Sequence, residues 1–473
     1  MAWTCPPYRF VVFPAAAFLY LVLTPNGRAH WRDKGLWLAT LAMCAGLLPL
    51  VAFNLSSNFE PLKYQFLRRH PWSFNPAGLK EPLEQALFVT PILYGFLLYT
   101  LLRLARAGLR GDDRRGLIGI FGGSFLLLFA ALAPWSGRNM YDIHWPIPGY
   151  LFLLVYLPGV VREWASAGRV WRRRLAWSGV GMGALGVIAA LLFMATALDM
   201  ERARRYLPTS YTNLPMAGWQ ELGSRAQGIL HRLEARSPEL LLVADDYVIG
   251  TELEFELGRH QDFFLIDHPR AHKHGTAYQI ALWGLDEAAL SRQTGRDALI
   301  AVDYGQKRVD RRLKRLCTLF ERLEPIDTVD LYDRELRVGF FLGHNLAAGD
   351  HATRPPCPLP SIVYLNPQAR DRKPADTVAL RGYAFNDGSG VERVEVYVDD
   401  VYLGRAEYGL AAPSVKSRYF PESTDPQHPG VGFLFDWDIR NAPQGRHRAA
   451  VKAVAKDGQQ DWSKARTITV RHP

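Results

Sequence analysis

The stretch that decides the fold is WSGVGMGALGVIAALLFMATAL, residues 177–198, twenty-two residues without a charge. At about 1.5 Å per residue a helix here is roughly 33 Å long, enough to cross a hydrocarbon core of about 30 Å. An uncharged apolar run of this length predicts a membrane span rather than the core helix of a soluble protein. Arg172, Arg173 and Arg174 precede it, and from Asp199 to Pro473 the composition is that of a protein in water. The chain therefore reads as a membrane half followed by an extramembrane half.

Working back from that stretch, five further apolar segments occupy residues 9–23, 36–54, 86–105, 117–135 and 145–161. Six spans are expected, with five as the alternative because the first and fifth segments are short. Arginine and lysine set the orientation. Arg28, Arg32 and Lys34 lie in one loop, Arg103, Arg106, Arg110, Arg114 and Arg115 in another, and Arg162, Arg169 and the triple arginine in a third. The positive-inside rule puts these three loops in the cytoplasm and residues 199–473 on the far side of an inner membrane. Both chain ends then lie outside, which leads to the expectation that the sequence begins inside a larger fold. The formal charge of +10 is concentrated in these short loops, so it reads as topology and lipid contact and not as nucleic-acid binding. The four cysteines are too scattered for a disulfide framework or a zinc site; Cys317 and Cys357 could pair in an oxidising compartment.

Two outer loops carry chemistry. Residues 55–85 read LSSNFEPLKYQFLRRHPWSFNPAGLKEPLEQ, in which Lys63, Arg68, Arg69 and His70 are interleaved with aromatic residues. One reading is an interfacial segment anchored by aromatics and snorkelling arginines. The other is a cationic shelf for a lipid phosphate, because guanidinium groups match phosphate oxygens in a bidentate way. The second loop, SGRNMYDIHWPIPGY at 136–150, places Arg138 and His144 at the mouth of a span. The candidate lipid-phosphate-binding set is thus Lys63, Arg68, Arg69, His70, Arg138 and His144.

The order of these motifs resembles the large polytopic membrane glycosyltransferases that use polyprenyl-phosphate-linked sugars, a group including protein O-mannosyltransferases and the aminoarabinose transferases acting on lipid A. The resemblance is carried by LPLVAFN at 48–54, KYQFLRRHPW at 63–72, the Thr90–Pro91 helix start, HWPIPGY at 144–150, DDYVIGTELEFEL at 245–257 and YQIALW at 278–283. It covers roughly residues 8–345. It implies transfer of a sugar from a polyprenyl-phosphate donor to an extracytoplasmic acceptor, glycan, lipid or protein, with any divalent-metal requirement left open. Such enzymes hold an acidic catalytic residue in the first outer loop, and nothing before Leu36 here supplies an outer loop with Asp or Glu. The expectation is a C-terminal portion without its general base, inactive alone; no catalytic residue is assigned. The alternative is a non-catalytic membrane-anchored binding protein.

The outer half divides at a proline-rich linker, 346–360. Residues 200–345 alternate strand and helix signals, predicting a small, mostly parallel α/β domain. Its strands LLLVAD, DFFLID and ALIAVD each end in Asp, which suits either a ligand crevice or ordinary helix caps. The histidines of HPRAHKH, residues 268–274, are spaced four and two apart and share no single face, so a solvated basic loop is expected rather than a metal site. Residues 361–473 show about seven alternating strands, predicting an immunoglobulin-like β-sandwich that folds on its own. With the membrane domain at 1–199, the fold class expected is multi-domain: polytopic α-helical, then α/β, then β-sandwich.

Overall fold

The computed structural model describes residues 7–68, 72–135, 144–207, 212, 216–235, 237, 239–258, 262–304, 309–332, 336–349, 357–367, 377–463 and 465–470. The chain separates into two compact units, Met1–Met194 and Ala195–Pro473.

The first unit is helical. Among the described residues, four helices are long and apolar enough to cross a membrane: Lys34–Ser56, Pro91–Leu109, Asp113–Trp135 and Val170–Ala195. None of the apolar window of Lys34–Ser56 is buried against protein, and only 6% of that of Val170–Ala195 is. Helices apolar all round and uncovered by protein are stable only when lipid covers them. The chain is a multi-pass membrane protein.

The remaining expected spans are shorter. The first is the helix Pro7–Leu23. The fifth breaks into Ile147–Leu154 and Leu157–Ala165. Pro158 explains the break, because it has no N–H to offer the Leu154 carbonyl and its ring crowds that oxygen. The segment expected at 86–105 is likewise divided. Glu81–Val89 ends at Thr90, whose φ of 78° is outside helical space, and Pro91 starts the next helix.

Small residues let these helices close on one another. A Cβ on Gly149 would sit 2.8 Å from the Gly122 carbonyl oxygen, so the helices Asp113–Leu132 and Ile147–Leu154 meet backbone to backbone. Phe96, Leu97, Leu126, Tyr150 and Leu153 form the buried core beside that contact.

Among the described residues, the second unit holds three sheets. Strands β1 (Leu241–Ala244), β2 (Phe263–Leu265), β3 (Ala298–Asp303), β4 (Phe320–Leu331) and β5 (Leu336–Leu346) form a sheet of order β2-β1-β3-β5-β4. The first three are parallel to one another, as the helical crossovers require. The β4–β5 hairpin is antiparallel and joins β3 antiparallel, so the sheet is mixed. A short connection cannot return a strand in the parallel sense, which is why the last two strands depart from the expected pattern. The helix Val309–Leu319 passes directly into β4.

Beyond the linker, β6 (Ile362–Pro367), β7 (Thr377–Phe385), β10 (Glu407–Leu410) and β11 (Gly432–Asp438) make one antiparallel sheet. Strands β8 (Val391–Val398), β9 (Val401–Arg405), β12 (Gly445–Ala455), β13 (Gln460–Trp462) and β14 (Arg466–Val470) make the other. Val363, Leu365, Leu380 and Phe433 of the first pack on Val394, Val396, Val451 and Ile468 of the second, giving the expected sandwich. The run VYLGRAEY, residues 401–408, spans β9 and the start of β10, which lie in opposite sheets. The chain crosses at Ala406, whose N–H bonds the Val394 carbonyl at 2.8 Å.

One apolar cluster runs from the α/β sheet into the sandwich. It joins Ile300, Leu316 and Phe320 to Cys357, Leu359, Ile362, Phe385 and Phe420. The described end of the proline-rich segment is therefore packed into the core. Cys317 and Cys357 form a disulfide there.

Candidate functional site

The cationic outer loop starts where Lys34–Ser56 ends. Phe59, with φ of 59°, turns the chain into a short helix, Glu60–Lys63. Glu60 then collects both neighbouring cations: Lys63 Nζ lies 3.3 Å from one carboxylate oxygen and Arg68 Nη1 2.9 Å from the other. Lys63 and Arg68, the two described members of the candidate set in this loop, thus share one acid, a pairing the expectation of an open cationic shelf did not include. His144 sits exposed in the turn before Ile147–Leu154, where its carbonyl accepts from the Ile147 N–H. Arg69, His70 and Arg138 lie outside the described residues.

The structure packs the first outer loop against the end of the span Asp113–Trp135, which leads into the second. The Asn75 N–H donates to the Pro134 carbonyl at 2.8 Å, and the Phe74 and Trp135 rings meet edge to face at 5.3 Å. Gly78 lies against the backbone of Ala133 and Pro134, where a Cβ would be 2.6 Å away, so only glycine permits this approach. One helix on, the Tyr150 hydroxyl donates to Gln85 Oε1 at 2.7 Å. Gln85 and Glu81 are both buried, at 1% and 3% exposure. These two were missed at the sequence level. The signal was present, since Glu81 and Gln85 are four residues apart and so share one face of the helix Glu81–Val89.

The strand ends of the α/β sheet form the second place where polar groups gather. Asp246 is a helix cap, accepting from the Val248 N–H at 2.7 Å. Asp245 is different: it is wholly buried, paired with Arg312 and bonded by the Asp303 N–H at 3.0 Å. Burial pushes its carboxyl up to about 7, outweighing Arg312 and the Asp303 N–H, which pull it down. The crevice at the strand ends is filled by the protein's own ion pair and cap.

HPRAHKH forms a helix, Pro269–His274, and not the expected loop. His268 caps it, its Nδ1 accepting from the Arg270 N–H at 3.2 Å, Pro269 opens it, and Gly275 closes it at φ of 75°. Burial holds His268 below its ordinary pKa, while Asp246, 3.6 Å away, pulls the other way. His272 pairs with Asp267 at 2.6 Å, and the His274 ring faces Tyr247 at 6.4 Å. Three histidines thus serve three separate contacts.

No family model and no curated protein matches this chain. Among solved structures, part of the chain is similar to an endo-beta-1,4-mannanase from Thermotoga petrophila. That match has 16% identity over 24% of this chain and 20% of that chain, at a TM-score of 0.16. A likeness at that score carries no argument about fold or function.

Proposed function

We propose that this chain is an inner-membrane protein of the polyprenyl-phosphate-sugar transferase type, its outer loops holding the lipid phosphate and its second unit facing the acceptor outside the cytoplasm. The observation that carries this reading is the docking of the cation-bearing loop on the end of the neighbouring span at Asn75–Pro134 and Phe74–Trp135, with Gln85 bonded to Tyr150. That contact supports a reading in which the cation-bearing loop lies beside the exit of the span that leads towards His144. A polyprenyl chain would lie in lipid while its phosphate meets Arg68 and His144. In transfer, an acceptor hydroxyl attacks the sugar's anomeric carbon, the bond to the phosphate oxygen breaks, and the cations stabilise the departing phosphate. The attacking hydroxyl's proton needs a general base. None stands in an outer loop before Leu36, so the chain by itself is expected to bind the lipid-linked sugar without turning it over.

Binding in nanodiscs tests the site. Arg68→Ala is expected to weaken polyprenyl phosphate about fiftyfold while changing phosphatidylglycerol by no more than about fivefold, since generic attraction is worth only about 1 kcal/mol per basic residue. Lys80→Ala serves as the surface control. Equal losses for both lipids in both variants would make these residues interface anchors and remove the assignment. Sugar turnover by the purified chain would refute the missing-base reading.

The extracytoplasmic placement is supported by the Cys317–Cys357 disulfide, which persists in oxidising compartments. Alkaline phosphatase fused after Pro473 should be active in intact cells and green fluorescent protein dark; the reverse pattern would overturn the orientation. The second reading, a non-catalytic binding protein, is favoured by a large cleft lying wholly within Ala195–Pro473.

A further inference from the structure

The helices Leu157–Ala165 and Val170–Ala195 meet through two tryptophans and an arginine. Trp164, in the first, packs on Phe96 and Tyr99 of the helix Pro91–Leu109, with ring centroids 5.2 and 5.4 Å away. Trp171, in the second, stands perpendicular to it at 89°, 5.5 Å between centroids. The Arg172 guanidinium lies 5.2 Å from the Trp164 ring centre and 5.4 Å from that of Trp171. Its Nε is buried and has no hydrogen-bond partner. Cation–π attraction fixes where this guanidinium sits and leaves its charge in place.

The protein does not neutralise the charge gathered here. The sole acid of residues 162–174 is Glu163, and it faces Arg103 at 2.5 Å. Among the described residues, none pairs ionically with Arg169, Arg172, Arg173 or Arg174. The last three stand where Val170–Ala195 begins, and the first turn of that helix holds no acid. Cations at a helix N-terminus oppose the positive end of its dipole, and neighbours of like charge repel one another. An anion among them relieves both. Membrane topology alone would ask for positive charge, but not for a guanidinium held against two rings.

We infer that Arg172 and its two tryptophans form a site for the phosphate of an anionic phospholipid, in the leaflet bordering residues 162–174. A guanidinium fork takes phosphate oxygens through parallel N–H···O bonds. Tryptophan suits headgroup level, where its body is in apolar and its N–H in wet surroundings. The occupant is a lipid because the helix that carries Arg172 is itself covered by lipid, with only 6% of its apolar window buried within protein. Trp177 and Val180, further along that helix, are exposed and offer a track for an acyl chain. A soluble phosphate makes no use of that track. This inference does not rest on the polyprenyl-phosphate reading, because Lys63, Arg68 and His144 take no part.

The test titrates the full chain, in neutral detergent, with dioleoyl phosphatidylglycerol and reads the lipid-bound fraction by native mass spectrometry. Dioleoyl phosphatidylcholine, whose headgroup has no net charge, and soluble glycerophosphate are the comparison ligands. Phosphatidylglycerol should bind at least about tenfold more tightly than either. Arg172→Ala should weaken it about fiftyfold, through loss of a charge-assisted contact. Arg114→Ala removes the same charge from residues 103–116 and should cost no more than about fivefold. Trp171→Ala leaves every charge in place and should still cost about fivefold. Arg172→Lys should recover only part of the loss, since a point charge does not replace the fork. Elution volume and helical circular dichroism check folding; should Arg172→Ala fail either, Arg172→Lys and Trp171→Ala decide, Trp171 being exposed. The inference falls if phosphatidylcholine binds equally well, if Arg172→Ala costs no more than Arg114→Ala, or if Trp171→Ala is silent. Glycerophosphate binding as tightly as the lipid would make this a site for soluble phosphate and overturn the lipid assignment. Arg68→Ala should change this binding by no more than about fivefold, so the two lipid assignments fail separately.

Discussion

Replacing Arg312 with alanine will destabilise the second unit by about 3–5 kcal/mol, because it strands a buried carboxylate. Asp245 has 0% exposure, and its charge is balanced by Arg312, which also donates to the Asp303 carbonyl at 2.5 Å. In a unit of this size the loss corresponds to a fall of about 6–20 °C in its thermal transition. The pH dependence has a definite sign. The folded-state pKa of Asp245, about 7, is above its unfolded value of 3.8. The folded form therefore holds the proton more tightly, and stability falls as pH rises from about 4 towards 7. Without Arg312 the folded pKa rises further, so the variant should lose more stability between pH 5 and pH 8 than the parent. Asp245→Asn with Arg312→Met should recover most of the loss, since asparagine still accepts from the Asp303 N–H and no buried charge remains. An Arg312→Ala transition within about 2 °C of the parent at pH 8 would show that the pair is solvated and not structural.

The second large effect belongs to Cys317 and Cys357. The bond closes a sequence separation of 40 residues and anchors the end of the proline-rich segment to the helix Val309–Leu319. Loop-closure entropy at that length is worth about 4 kcal/mol, and native disulfides typically contribute about 2–5. Cys317→Ala should lower the transition by about 4–20 °C, and a reductant should bring the parent down to the variant's value while leaving the variant unmoved. A maleimide count gives an independent check. Of the four cysteines, two should react in denaturant without reductant and all four after reduction. Four reactive thiols in freshly purified protein would remove both the bond and its support for an extracytoplasmic placement. The shared core of Leu359, Phe385 and Phe420 couples the two parts. In the intact parent the sandwich and the α/β sheet should therefore melt together and not, as the sequence led one to expect, the sandwich on its own; loss of the bond should weaken that coupling.

The helices of the membrane unit were legible in one dimension. A span is recognised by an apolar run long enough for the bilayer, a requirement that needs no knowledge of neighbours. The same holds for the sandwich strands, whose alternation reports one wet and one dry face. Local punctuation was partly readable. Pro158 and the Thr90–Pro91 step break helices by chain chemistry alone, and His268–Pro269 with Gly275 caps a helix where basic residues suggested a loop.

The candidate site was less legible. Lys63 turns to Glu60, a pairing that a spacing of three allows and that competes with phosphate. What the sequence by itself determined was the division into membrane and water and the kinds of element on each side, because burial against solvent or lipid writes a period into the chain. Only tertiary structure decided which charges meet. Asp245 and Arg312 are 67 residues apart, and the stacked rings of Tyr364 and Tyr383 and the Arg466 guanidinium beside Tyr364 come from three strands in two sheets. Such contacts arise from strand order and register, which depend on how apolar faces pack at a distance, and no local pattern carries that information.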